Sequence, residues 1–180
     1  MLNCIRKFFS RKKKPSNVII IGHDRLSKGA KVINYENEYM YNSKVGHVVK
    51  SLLPEVEVCF YNEIEKDYVV IADPGFIAIE LHCNAFNGYI KGSEILILED
   101  DTHSKSYAED LLTELCERFQ KSNRGVKELS KEDRGYKNLK RAKKKGARIA
   151  IIVEPFFGDN FDDVIHSAEY AQFLVDWFNN

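Results

Sequence analysis

Residues 76–88 read FIAIELHCNAFNG. The Ile- and Phe-rich first half predicts a buried strand, and polar groups gather at its end: Glu80, His82, Asn84 and then Asn87. In an α/β protein, ligands bind at the C-terminal ends of central strands, where the loops leaving the sheet open a crevice. An imidazole there is well placed for chemistry, and as well placed to be a satisfied, half-buried structural histidine. What decides between the two is whether the rest of the chain brings partners to His82.

The same pattern recurs on either side. Residues 17–21 (NVIII) form a short apolar strand followed by Gly22-His23-Asp24, a second strand ending in a histidine. Residues 148–153 (RIAIIV) form another, followed by Glu154 and then by Pro155, which cannot continue the pairing. Further strands are predicted at 56–61 and 94–98 (EILIL). Helical spacing appears over 38–53 through Tyr41, Val45, Val48 or Val49 and Leu52, with Asn37 as N-cap and Pro54 as the stop. It appears again over 106–119 through Tyr107, Leu111, Leu115 and Phe119, and over 162–178 through Val164, Ala168, Ala171, Leu174 and Phe178. Residues 62–72 fit a short helix or a loop, and Asp73-Pro74-Gly75 is a turn. Residues 122–146 lack apolar periodicity and read as a long functional loop or a disordered segment. Alternating strands and helices predict one α/β domain with a mainly parallel sheet covered by helices on both faces.

Charge is balanced in total, 27 basic against 27 acidic residues, but not in distribution. Residues 1–14 carry six basic residues and no acid, and residues 121–148 carry twelve basic against three acidic. Such bipolarity bears on partners more than on fold. Residues 1–16 read as a basic flexible arm, either a solvated tail or a weak contact with membrane or anionic wall polymer. The 121–148 segment does not read as a nucleic-acid surface, because Tyr136 is its one aromatic. Cys4, Cys59, Cys83 and Cys116 are scattered without a CxxC pair, which excludes a thiolate zinc ribbon. The N-terminal apolar run is too short for a signal peptide, and no segment has the length of a membrane span, so synthesis in the cytoplasm is expected.

Three strands thus end in groups that bind or activate: His23, His82 and Glu154. In a parallel sheet those ends lie on one side, and Glu38, opening the helix after His23, can join them. Two imidazoles and one carboxylate suit a catalytic zinc with a position left for water. Such a metal lowers the pKa of its water from about 15.7 towards about 7, and a nearby carboxylate can then move the proton. Glu154 is free for that task. His47, His103 and His166 sit in a helix or in polar contexts and read as surface or structural.

In order along the chain, the phrases GHD (22–24), ENEYMYN (36–42), IELHCNAF (79–86), NRGVK (123–127), DRGYKNL (133–139) and VEPFFGDN (153–160) resemble zinc-dependent N-acetylmuramoyl-L-alanine amidases, most of all the catalytic domains of phage endolysins. The resemblance runs from about residue 17 to the C-terminus and implies a twisted sheet of about six strands. It implies a zinc held by His23, Glu38 and His82, with Glu154 as the catalytic carboxylate. Glu38 is taken over Glu36 because the family's ligand precedes an aromatic, here Tyr39. The implied substrate is peptidoglycan, cut at the amide between muramic acid and L-alanine, and the protein is expected to be a monomer made in a host cytoplasm and acting on the wall after release. Asn84, Arg124 and Arg134 are the expected substrate-binding residues, the arginines for stem-peptide carboxylates. The chain departs from the family pattern where Asp24-Arg25 follow His23 in place of glycines, and where Gly135-Tyr136 follow Arg134 in place of a double glycine. Two competing readings stand beside this one. A carboxypeptidase-like zinc peptidase would carry His-x-x-Glu, which neither His23 nor His82 begins. A metal-free wall-binding domain would have no need of all four residues.

Overall fold

The computed structural model describes residues 16–180, so all of the expected basic arm but Ser16 lies outside the described residues. Six strands form one sheet: β1 (Asn17–Ile21), β2 (Glu57–Phe60), β3 (Ile77–Leu81), β4 (Ser93–Leu98), β5 (Asn123–Leu129) and β6 (Ile149–Glu154), in the order β2-β1-β3-β6-β4-β5. The four helices are α1 (Glu38–Leu52), α2 (Thr102–Phe119), α3 (Tyr136–Lys144) and α4 (Ser167–Asn179). β1, β2, β3 and β6 run parallel. β4 is reversed against β6, and β5 follows β4 in parallel.

The central strands are mostly apolar because both faces are covered, with Glu80 the buried polar residue within β3. Ile19 and Ile21 of β1 face a core with Tyr41 and Val45 of α1, Leu111 and Leu115 of α2, and Phe173 and Leu174 of α4. Val18 and Ile20 face the opposite core, closed by Leu139 and Ala142 of α3. Burying each such aliphatic side chain contributes on the order of 1.5–3 kcal/mol, so the centre of the sheet fixes the register of everything attached to it. The expected helices on both faces are present, three on one and one on the other. No helix among the described residues is long and apolar enough to cross a membrane.

Two expectations need correction, and a third, open between helix and loop, is decided. Residues 122–146 are neither loop nor disorder: they form β5 and α3. β5 is an edge strand in which Leu129 alone is fully buried, and α3 buries Leu139 and Ala142 alone, so neither needs a run of apolar residues. Residues 62–72 form no helix; Asn62 Oδ1 accepts the N–H groups of Ile64 and Glu65 at 2.9 Å, giving the chain a turn instead. The last helix starts at Ser167 because Asp163, 1 % exposed, is spent on loops: its Oδ2 accepts the N–H of Gly92 at 3.0 Å and of Phe157 at 2.7 Å.

Candidate active site

Topology brings the site together. The C-terminal ends of β1, β3 and β6 lie side by side, and the reversal of β4 carries its first residues to the same edge, with Glu94 paired opposite Glu154. A cleft of about 570 Å³ opens there, lined by His23, Glu38, His82, Asn84, Glu94 and Glu154 among others.

His23 leaves β1 with φ +68, a left-handed conformation uncommon for a side-chain-bearing residue and a common form of strain at functional sites. Asp24 holds this turn, its Oδ1 accepting the N–H of Leu26 at 2.8 Å and of Ser27 at 2.7 Å, which does the work that glycines would otherwise do. Asn37 caps α1 by accepting the N–H of Met40 at 3.0 Å, and this places Glu38 in the first turn, buried beneath the histidines. Glu38 Oε2 lies 3.1 Å from His23 Nε2, and Oε1 lies 2.9 Å from His82 Nδ1. The same carboxylate accepts the N–H of Ala30 at 3.0 Å and of Cys83 at 2.8 Å. The imidazoles meet edge to face, with ring centroids 4.9 Å apart.

One ligand atom from each of His23, Glu38 and His82 falls within 4.8 Å of the others. The surroundings fit a cation. Burial works to raise Glu38, but hydrogen bonds from both histidines hold it well below the ordinary carboxylate range. Burial likewise opposes charge on His82, yet its bonds to Glu38 and Glu80 win and keep its pKa up at about 10. Positive charge is therefore favoured at this point, and two imidazoles with one carboxylate are the donor set of a catalytic zinc. The backbone of the first loop packs closely against two of these groups. A Cβ on Gly29, at φ +75, would come within 2.4 Å of Glu38 Oε2 and 2.6 Å of the His23 ring.

Glu154 stands across the cleft. Asn84 Nδ2 donates to Glu154 Oε2 at 2.9 Å and to Glu94 Oε1 at 2.6 Å, so it bridges two carboxylates. Burial first, and then the charge of Glu94, push the Glu154 carboxyl up to about 7 against the pull of His82. A carboxyl titrating near neutrality both accepts and returns a proton readily, which is what a general base that becomes an acid requires.

The expected residues are placed unequally. His23, Glu38, His82, Asn84 and Glu154 converge, and Arg134 lines the cleft. Arg124 stands behind Glu94, its Nε 3.0 Å from Glu94 Oε2 and its guanidinium 5.0 Å above the Phe157 ring. Glu36 pairs with Lys28 at 3.3 Å, away from the histidines. His47 and His166 are spent on a carbonyl of α1 and on the cap of α4, and His103 is exposed on α2. Glu94 is the site residue the sequence reading did not single out. Its one signal is a carboxylate opening the apolar run EILIL, and only the reversal of β4 turns that into a place in the cleft.

Glu94 gives a test of the electrostatics. With Gln at position 94 the charge that raises Glu154 is gone, so the acidic limb of the kcat/KM–pH profile should move to lower pH than in the unsubstituted protein. A limb that stays in place would separate it from the Glu94–Glu154 pair.

Comparison with known proteins bears on what this arrangement is for. The chain is similar to the catalytic domain of CD27L endolysin targeting Clostridia Difficile, at 23 % identity over 91 % of this chain and 96 % of that one, with a TM-score of 0.60. It is similar to the CwlD amidase from Clostridioides difficile, at 16 % identity over 91 % and 97 %, with a TM-score of 0.66. It is also similar to the catalytic domain of CwlV, an N-acetylmuramoyl-L-alanine amidase from Bacillus (Paenibacillus) polymyxa var. colistinus, at 17 % identity over 91 % and 96 %, with a TM-score of 0.60. At these identities the likeness is one of fold. No sequence among the curated proteins matches. The sequence model of one family, described as N-acetylmuramoyl-L-alanine amidase, spans residues 18–172, from the first strand, which leads into His23, to the last helix. On that match the chain belongs to the N-acetylmuramoyl-L-alanine amidase family.

Proposed function

We propose that the protein is a zinc-dependent peptidoglycan hydrolase that cleaves the amide joining the lactyl group of N-acetylmuramic acid to L-alanine of the stem peptide. The observation that carries this is the convergence of His23, Glu38 and His82 opposite Glu154, in a chain whose family is that of the amidases. His23, Glu38 and His82 would hold the metal. Zinc supplies Lewis-acid chemistry when bound, polarising a carbonyl and making water a nucleophile near neutral pH.

The chain's own residues do the rest. Glu154 takes the proton of the attacking water and returns it to the alanine nitrogen as the C–N bond breaks, so the leaving group departs as an amine rather than an amide anion. Asn84 keeps Glu154 aimed, since its Nδ2 bond fixes one carboxylate oxygen and leaves the other for the proton. Arg134, in the cleft wall, is the group for a stem-peptide carboxylate, matched in charge and in paired hydrogen bonds. Arg124 contributes by holding Glu94, with part of its side chain left exposed at the cleft's edge.

The test is digestion of purified peptidoglycan with and without a chelator. Release of peptides with free alanine amino groups should stop in chelator and return on adding zinc. Activity indifferent to chelator, or new reducing sugar ends in place of alanine amines, would overturn the assignment.

A further inference from the structure

Glu80 is a buried carboxylate with no part in the proton transfer assigned to Glu154. It is 2 % exposed and lies in β3 two residues before His82, on the face that packs against α3. Three donors converge on its Oε1: His82 Nε2 at 3.0 Å, Asn138 Nδ2 of α3 at 2.7 Å and the Tyr61 hydroxyl at 3.2 Å. Tyr61 is fixed in turn by Arg141, whose Nη1 lies 3.3 Å from the hydroxyl and whose guanidinium sits 5.4 Å over the ring. Arg141 is itself held by Asp67 at 3.5 Å.

We propose that Glu80 is a positioning residue for the metal: by accepting the Nε2–H of His82 it fixes the ring's tautomer, so that Nδ1, 2.9 Å from Glu38 Oε1, offers its lone pair to the zinc group. The inference rests on the zinc reading above. Its chemistry follows from the two nitrogens of one ring. A neutral imidazole carries one proton, and an acceptor that cannot donate forces that proton to its own side. A carboxylate also makes the opposite nitrogen a better donor to a metal, and partners of this kind typically contribute about 10–100-fold in metal affinity. Burying a carboxylate in a strand merely to fill space would be costly, whereas here three donors meet one of its oxygens and hold it in place. β3, α3 and the residue that follows β2 are thereby tied to the orientation of one ligand.

The experiment measures zinc affinity of the full chain by competition with a chromophoric chelator, for the unsubstituted protein, Glu80→Ala and Glu80→Gln. It adds long-range ¹⁵N NMR of the zinc-loaded imidazoles. Glu80→Ala should bind zinc about 10–100-fold more weakly. Glu80→Gln should fall between, since an amide oxygen still accepts the Nε2–H but brings no charge. The His82 ring should carry its proton on Nε2. Unchanged affinity in a folded Glu80→Ala, or in Glu80→Gln if the alanine variant does not fold, overturns the proposal, as does a zinc-loaded His82 protonated on Nδ1. An unsubstituted protein without zinc affinity overturns the zinc reading itself and this inference with it. Zinc binding that is tight and equal in all three overturns this inference alone.

Discussion

With Glu154 replaced by Gln, the protein should still bind zinc and lose turnover, kcat falling by about 10²–10⁴-fold, the range a positioned acid–base supplies. The amide has the carboxylate's shape, and its oxygen can keep the 2.9 Å bond from Asn84, so the loss isolates proton transfer from placement. Stability should change in the opposite sense. Burial and Glu94 raise Glu154 from 4.5 to about 7, so the native protein holds this proton where the unfolded chain releases it. Stability is then lost as pH rises through that window and stays lower above it. Glu154→Gln has no such loss, and metal-free Glu154→Gln should melt higher than metal-free unsubstituted protein at pH 8, with the difference shrinking towards pH 4. A variant that kept its activity would give the proton-transfer role to another group. Circular dichroism melts and zinc content, read beside turnover, separate these outcomes.

Glu38→Ala should fail in two ways at once. It removes one of the three groups proposed to hold the metal. Since removing a residue that only supports a ligand costs about 10–100-fold, losing the ligand itself should weaken zinc by more than about 100-fold and take activity with it. It also strips the acceptor from the N–H groups of Ala30 and Cys83, and each such group left unsatisfied costs on the order of 1–3 kcal/mol, the upper part of that range applying to the buried Cys83. Against a domain stability of about 5–15 kcal/mol this is a large fraction, so a clear drop in the urea midpoint is expected. Glu38→Gln should lose zinc as well, but unfold less readily, because its amide oxygen can still serve Cys83. Equal zinc content in all three proteins would remove Glu38 from the ligand set.

The parts of this protein legible in its sequence are those where burial on both faces leaves a largely apolar run. β1, β3 and β6 are such runs, and His23, His82 and Glu154 stand out because each is a polar residue at or just past the end of one. The capped start of α1 identified Glu38's place by the same local logic. What stayed hidden depended on pairing rather than on pattern. β5 sits at the sheet edge with most of its side chains in solvent, so nothing in its composition separates it from a loop. The reversal of β4 has no local signal at all, since the run EILIL is equally apolar in either direction, and with it went the role of Glu94. Glu80 was visible beside His82 but had no partner in sequence; Asn138 and Tyr61 reach it from 58 and 19 residues away.

The central claim, that this site directs water onto the lactyl carbonyl of muramic acid, is tested most directly by digesting purified peptidoglycan in H₂¹⁸O and locating the label by mass spectrometry. One ¹⁸O should enter the lactyl carboxylate of the glycan product, and the released stem peptides should begin with a free alanine amine and carry no label. Label in a peptide carboxyl group, as a carboxypeptidase would leave it, or at a sugar reducing end, as a glycosidase would, contradicts the assignment.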